Sequence, residues 1–159
     1  MAGLVPAIHD LWWRKQGVDA GDVHGYDGMD LRRKTLDMPK FIEMDRSVTL
    51  ADQMEDEGGP VVLVNIFVVP PADADRLVAA WAADAAFMKR QPGYVSTQLH
   101  RGLAGSGVFL NYAVWETAAL FRAAFSNPEF QAQLAHYPES VTVSPHLFRR
   151  VAVSGICVA

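Results

Sequence analysis

Val61-Val62-Leu63-Val64-Asn65-Ile66-Phe67-Val68-Val69 is a run of apolar, largely β-branched residues interrupted by one carboxamide. Gly58-Gly59-Pro60 precedes it and Pro70-Pro71 ends it, since proline cannot donate to a strand ladder. Its length and β-branched content predict a strand. Alternation puts Val61, Leu63, Phe67 and Val69 on one face and Val62, Val64, Ile66 and Val68 on the other. Both faces are apolar, so both must be covered.

Downstream, Asp73 is placed to cap a helix running to about Arg90. Leu77, Trp81, Ala85 and Met88 form its apolar stripe, and Lys89 and Arg90 suit its negative C-terminal end. Gln91-Pro92-Gly93 ends it. Tyr94 to Arg101 alternates as a strand, with Val95, Thr97 and Leu99 on one face and Ser96, Gln98 and His100 on the other. The turn Gly102 to Gly107 leads into a third strand, Val108 to Glu116. Thr117 caps a second helix carrying Phe121 and Phe125, and Asn127-Pro128 restarts it with an asparagine cap and an N1 proline. That continuation buries Phe130 and Leu134. A loop through Tyr137-Pro138 and Pro145 is expected to give way to a last strand over about His146 to Val153.

This order is the ferredoxin-like βαββαβ pattern, an α+β fold with a four-stranded antiparallel sheet and both helices on one face. Helices on one side leave the second apolar face of Val61–Val69 uncovered. The simplest cover is the same sheet of another copy, so the run predicts a homodimer through the sheet face, a dimeric α+β barrel.

Upstream the chain changes character. Residues 1–57 hold 7 basic and 12 acidic residues, a charge of −5; residues 58–159 carry +1, within a total of −4 over 159 residues. Residues 1–37 show no sustained period and read as an irregular extension. Gly3-Leu4-Val5-Pro6-Ala7-Ile8-His9, Lys15-Gln16-Gly17-Val18-Asp19-Ala20 and His24-Gly25-Tyr26-Asp27-Gly28-Met29 resemble peptides translated from intergenic repeat DNA of bacterial genomes, which would start the working protein at Met38. The alternative is a native arm anchored to a partner by Trp12 and Trp13. Residues 38–57 read as an arm with a short helix that Thr49 caps, Asp52 completing a capping box. The folded domain is then 58–159.

Half of the chain is hydrophobic, which excludes wholesale disorder. No basic stripe marks a nucleic-acid surface, and no run approaches the roughly 20 apolar residues of a membrane helix. Met1 to Gln16 lacks the pattern of a signal peptide, so a cytoplasmic location is expected. One cysteine, Cys157, excludes an internal disulfide and multi-cysteine metal sites; it reads as a small apolar filler. No two histidines have metal-ligand spacing, so no metal site is expected, and no nucleophile elbow, phosphate loop or dinucleotide fingerprint occurs.

Asn111 and Trp115 are four apart on the third strand and share a face with Phe109 and Ala113. Asn65 lies on the neighbouring strand. A buried carboxamide without a partner costs about 1–3 kcal/mol, so two asparagines on core strands imply either a polar-lined cavity or an internal hydrogen-bonded pair. Trp81 and Met88 fit a core stripe. His100, His136 and His146 fit surface or packing positions.

Pro92-Gly93-Tyr94, Leu99-His100-Arg101 and Asn111-Tyr112-Ala113-Val114-Trp115-Glu116 resemble the antibiotic biosynthesis monooxygenase family over about Pro60 to Val153. The resemblance implies a cofactor-independent monooxygenase that oxidises a small aromatic or phenolic substrate with O₂. Asn111 and Trp115 would be the catalytic pair: Asn111 hydrogen-bonds the substrate oxygen and stabilises anionic charge, and Trp115 walls the aromatic ring. Asn65, Trp81, Phe121 and His100 would contact substrate. Two positions depart from the phenol-oxidising members. Phe121 stands where they carry tyrosine, and Leu134 or Ala135 where they carry an arginine. These departures suit a second reading, a non-catalytic ligand-binding or assembly module. The third is haem degradation, the one reading that calls for a cofactor. Its axial histidine position is occupied by Leu134, with His136 about 200° round the helix.

Overall fold

The computed structural model describes residues 39–159; the expectations for 1–37, including the roles of Trp12 and Trp13, lie outside them. Nine strands and α-helices follow in order among these residues: β1 Lys40–Phe41, α1 Leu50–Gln53, β2 Val61–Val68, α2 Ala74–Met88, β3 Tyr94–Arg101, β4 Val108–Trp115, α3 Ala118–Phe125, α4 Pro128–Gln133 and β5 Thr142–Phe148. The sheet order is β1-β5-β2-β4-β3. The four long strands pair antiparallel throughout, which is the ferredoxin-like core. The fifth strand is the difference from expectation: β1 adds two residues in parallel to the edge of β5, too short to leave a period in the sequence.

The caps follow from local chemistry. Thr49 and Asp52 exchange both bonds of a capping box. The Thr117 hydroxyl accepts from the Leu120 amide at 3.1 Å, and Asn127 Oδ1 accepts from the Glu129 amide at 2.9 Å. Asp73 does not cap α2 with its side chain. A single 3-10 turn, Pro71–Asp73, leads into the helix and denies Asp73 the extended backbone that a cap needs. Its carboxylate instead accepts from Ser140 Oγ at 2.7 Å.

The last strand starts four residues earlier than expected and ends at Phe148. Pro145 does not interrupt it, because its missing N–H falls on the outer edge of β5. Lys40 and Ile42 donate to Val141 and Val143 on that edge, and residues 145 and 147 face the same way by alternation. Gln53 completes the edge: its Oε1 accepts from the Leu147 amide at 2.8 Å and its Nε2 donates to the Leu147 carbonyl at 3.0 Å. Proline is tolerated where no ladder bond is lost.

A register shift between Tyr94 and Ser96 breaks the expected alternation of β3. Val95 leaves the core face and is exposed, while Tyr94 joins Thr97 and Leu99 on it. The bulge therefore re-aims one aromatic side chain inward. Gly93 makes the approach possible. Its φ is +81°, and a Cβ there would meet Leu120 at 2.5 Å.

The core lies between the helices and the inward face of the sheet. Trp115, Phe109, Phe121 and Leu77 are fully buried there, each worth about 1.5–3 kcal/mol in removed apolar surface. On the opposite sheet face Val68, Val108 and Tyr112 are exposed beside half-buried Val64, Ile66, Leu110 and Val114.

Candidate functional site

A partly open cavity of about 80 Å³ sits between the sheet and the helices, several times the space that one water needs. Alternation along the strands delivers its floor. Asn65 and Asn111 are direct cross-strand partners, so both carboxamides reach the same face, with Trp115 four residues beyond Asn111. From α2 come Trp81, Asp84, Ala85 and Met88, one helical stripe. Phe121, Phe125, Phe130 and Leu134 close the far side, and Tyr137 with Val143 and Pro145 the β5 side. Pro39 and Phe41 of the arm complete the wall.

Aromatic contacts hold this wall in place. Tyr94 and Phe121 meet Trp115 edge-on, with ring centroids 5.7 Å and 5.6 Å away. Phe125 lies 5.6 Å from Phe121, and Phe130 5.5 Å from Phe125. Tyr137 stacks on Phe67 at 5.8 Å and 5°. Pairs of this kind each contribute about 0.5–1.5 kcal/mol beyond area burial and hold the indole of Trp115 between Tyr94 and Phe121.

The polar groups are few and specific. Thr97 Oγ1 donates to Asn111 Oδ1 at 2.6 Å. That bond orients the carboxamide and leaves its NH₂ as a donor. Asn111 is only 8% exposed. Asn65 Oδ1 and Trp115 Nε1 are buried without a protein partner. One is an acceptor and the other a donor, and both belong to residues of the cavity wall. Each unpartnered atom costs on the order of 1–3 kcal/mol.

Asp84 is the charged side chain of the cavity wall among the described residues. It is 6% exposed and interacts with the Tyr137 hydroxyl. With its carboxamide turned to satisfy both ends, Gln133 donates to Asp84 Oδ1 at 3.2 Å and to the Ala83 carbonyl at 3.3 Å. Burial raises the Asp84 carboxyl from its ordinary 3.8 to about 7, against the lowering effect of the Tyr137 bond. Burial also raises the Tyr137 hydroxyl far above its usual range, helped by the Asp84 charge, so Tyr137 stays a donor.

Five of the six residues singled out from sequence meet at this cavity: Asn111, Trp115, Asn65, Trp81 and Phe121. His100 does not. It faces Leu110 across β3 and β4, on the outer face and exposed, because the alternation that brings Leu99 inward turns its neighbour out. His136 is exposed in the turn after α4 while Leu134 is buried at the wall. Asp84, Thr97, Tyr137 and Phe41 were missed. Asp84 was legible: Leu77, Trp81, Asp84 and Met88 are spaced four, three and four apart, so a carboxylate interrupts an apolar stripe. Tyr137 and Phe41 lie in segments without a period and left no such signal.

A ferredoxin-like α+β domain with a partly open, aromatic-walled cavity carrying two carboxamides and an indole defines the class. The sequence profile of the antibiotic biosynthesis monooxygenase family matches residues 60–135. The chain is similar to SnoaB, a cofactor-independent oxygenase from Streptomyces nogalater, with 30% identity and a TM-score of 0.53 over 60% of this chain and 97% of that one. It is similar to a monooxygenase candidate from Shewanella loihica PV-4, with 32% identity and a TM-score of 0.52 over 62% of this chain and 100% of that one. An antibiotic biosynthesis monooxygenase candidate from Caulobacter crescentus CB15 shares the fold, with 20% identity and a TM-score of 0.54 over 60% of this chain and 92% of that one. Comparison with curated protein sequences returned no match. This chain belongs to the antibiotic biosynthesis monooxygenase family. Pro39, Phe41, Tyr137, Val143 and Pro145 contribute to the cavity from outside the matched residues.

Proposed function

We propose that the chain is a cofactor-independent monooxygenase that oxidises a small phenol or quinol with O₂. The observation that carries this reading is the pair of buried, unpartnered polar atoms, Asn65 Oδ1 and Trp115 Nε1, on the wall of one aromatic cavity. A phenolic hydroxyl donates to Asn65, and its oxygen accepts from Trp115 Nε1 and the Asn111 amide. These donors favour the phenolate, and a preorganised donor in a dry site is worth about 2.7–4 kcal/mol. The phenolate then passes one electron to O₂. The radical pair joins carbon to oxygen as a peroxide anion, which takes back the proton released from the phenol; the hydroperoxide then loses water, its O–O bond breaking as the C–H proton leaves, and a quinone remains. Trp81 and Phe121 confine the ring, and about 80 Å³ leaves room for no more than a single ring. The similarity to SnoaB supports a reaction without flavin or metal.

The uncovered sheet face supports a homodimer, with Ile66 and Tyr112 at its centre. The non-catalytic alternative draws on Phe121, which is 1% exposed and brings no hydroxyl to Trp115. The haem alternative fits poorly: no histidine is among the described residues of the cavity wall, and Leu134 stands where the resemblance puts the axial ligand. Oxygen uptake measured over a panel of phenols and quinols tests the proposal. Consumption that Asn111→Ala abolishes in a folded protein is the expected result. No consumption by the wild type with any member of the panel refutes it.

A further inference from the structure

Asp84 is a carboxyl group buried in a cavity wall that is otherwise apolar, aromatic or neutral, and no part of the oxygenase reading uses it. Among the described residues the wall has no lysine, arginine or histidine. The groups that face Asp84 from neighbouring elements are the Tyr137 hydroxyl and the Gln133 amide. A second anion entering this site would meet a carboxylate with no cation beside it at low dielectric, which is strongly unfavourable unless one of the two takes up a proton. A neutral ligand with an acidic hydroxyl would not.

We propose that Asp84, positioned by Tyr137, is the proton acceptor for an acidic hydroxyl of the bound ligand. The inference rests on the phenol reading of the cavity. The ligand hydroxyl turns from Asn65 to the Asp84 carboxylate and gives up its proton there: the O–H bond breaks, its electron pair stays on the ligand oxygen, and the proton forms an O–H bond on the Asp84 carboxyl. The site holds one negative charge before and after; the charge moves from the protein to the ligand. Asn111 and Trp115 then face the new oxyanion. Burial brings the Asp84 carboxyl to about 7, the range in which a general base works best near neutral pH. Tyr137, held protonated, supplies a donor that keeps the carboxylate oriented.

The test is an anaerobic titration of the full chain with 4-nitrophenol, whose phenolate absorbs in the visible. It is run near pH 8.5, where free probe and free carboxyl are both ionised. Proton uptake is counted by calorimetry in buffers of different ionisation enthalpy. The wild type is expected to take up one proton per probe while the bound probe keeps its phenolate spectrum, which puts the proton on the protein. Asp84→Asn is expected to lose that combination: either no proton is taken up, or the probe binds as neutral phenol. Tyr137→Phe keeps the combination, because the acceptor remains. A wild type that binds no probe, or binds it as neutral phenol, overturns the inference, as does an Asp84→Asn variant that still couples uptake to a phenolate spectrum. Oxygen is excluded throughout. A chain that passes this test but oxidises no phenol keeps the inference and loses the oxygenase reading, and the converse result does the reverse.

Discussion

Replacing Asp84 by asparagine removes a titrating group and keeps its shape. In the folded chain the carboxyl sits at about 7 rather than 3.8, so between these values the folded state holds a proton that the unfolded chain has released. Stability then falls as pH rises from about 4 to about 7 and is flat above. The gap corresponds to about 4 kcal/mol at 1.36 kcal/mol per decade. Asp84→Asn lacks this loss. Its stability relative to wild type is expected to climb by about 4 kcal/mol across that window, a large share of a typical domain's total. Other titrations are common to both chains and cancel in the difference. The assay is urea unfolding at a series of pH values, followed by far-UV circular dichroism, with equal m-values required. A difference between the two chains that stays constant from about pH 4 to about pH 8 refutes the reasoning, because a solvated carboxyl would behave that way. A group retained at such a cost to stability is a mark of a functional position.

Three further outcomes follow from the geometry. Trp115→Phe keeps the ring against Tyr94 and Phe121 but loses the Nε1 donor, and is expected to lower kcat about 10²–10³-fold with substrate KM little changed; steady-state oxygen uptake checks it. Gln53→Ala strands the Leu147 amide and carbonyl and should cost about 1–3 kcal/mol in chemical denaturation. Ile66→Asp puts a charge at the centre of the open sheet face and should convert a dimer to a monomer in sedimentation velocity; wild-type sedimentation as a monomer would remove the dimer proposal.

Much of the fold was legible because its signals are local. The apolar run 61–69, the caps at Thr49, Thr117 and Asn127, and the stripe of α2 each depend on a few neighbouring residues. Where the reading went astray, a distant residue decided. Pro145 looked like a strand breaker until β1 and Gln53 showed which edge its nitrogen occupies. Val95 looked inward until the bulge opposite Trp115 turned it out. His100 was drawn to the site by a motif, and the strand period moved it to the other face.

The sequence by itself determined the ferredoxin-like order, the carboxamides at Asn65 and Asn111, the indole at Trp115 and the uncovered apolar face, since period and composition act over a few residues. Tertiary structure alone decided that Asn65 and Asn111 face each other directly, because register depends on both strands at once. It also brought Tyr137 to Asp84 across 53 residues and laid Phe41 over the cavity. Contacts between segments so far apart leave no pattern in either one, and here they supply the hydroxyl beside Asp84 and the closure of the site.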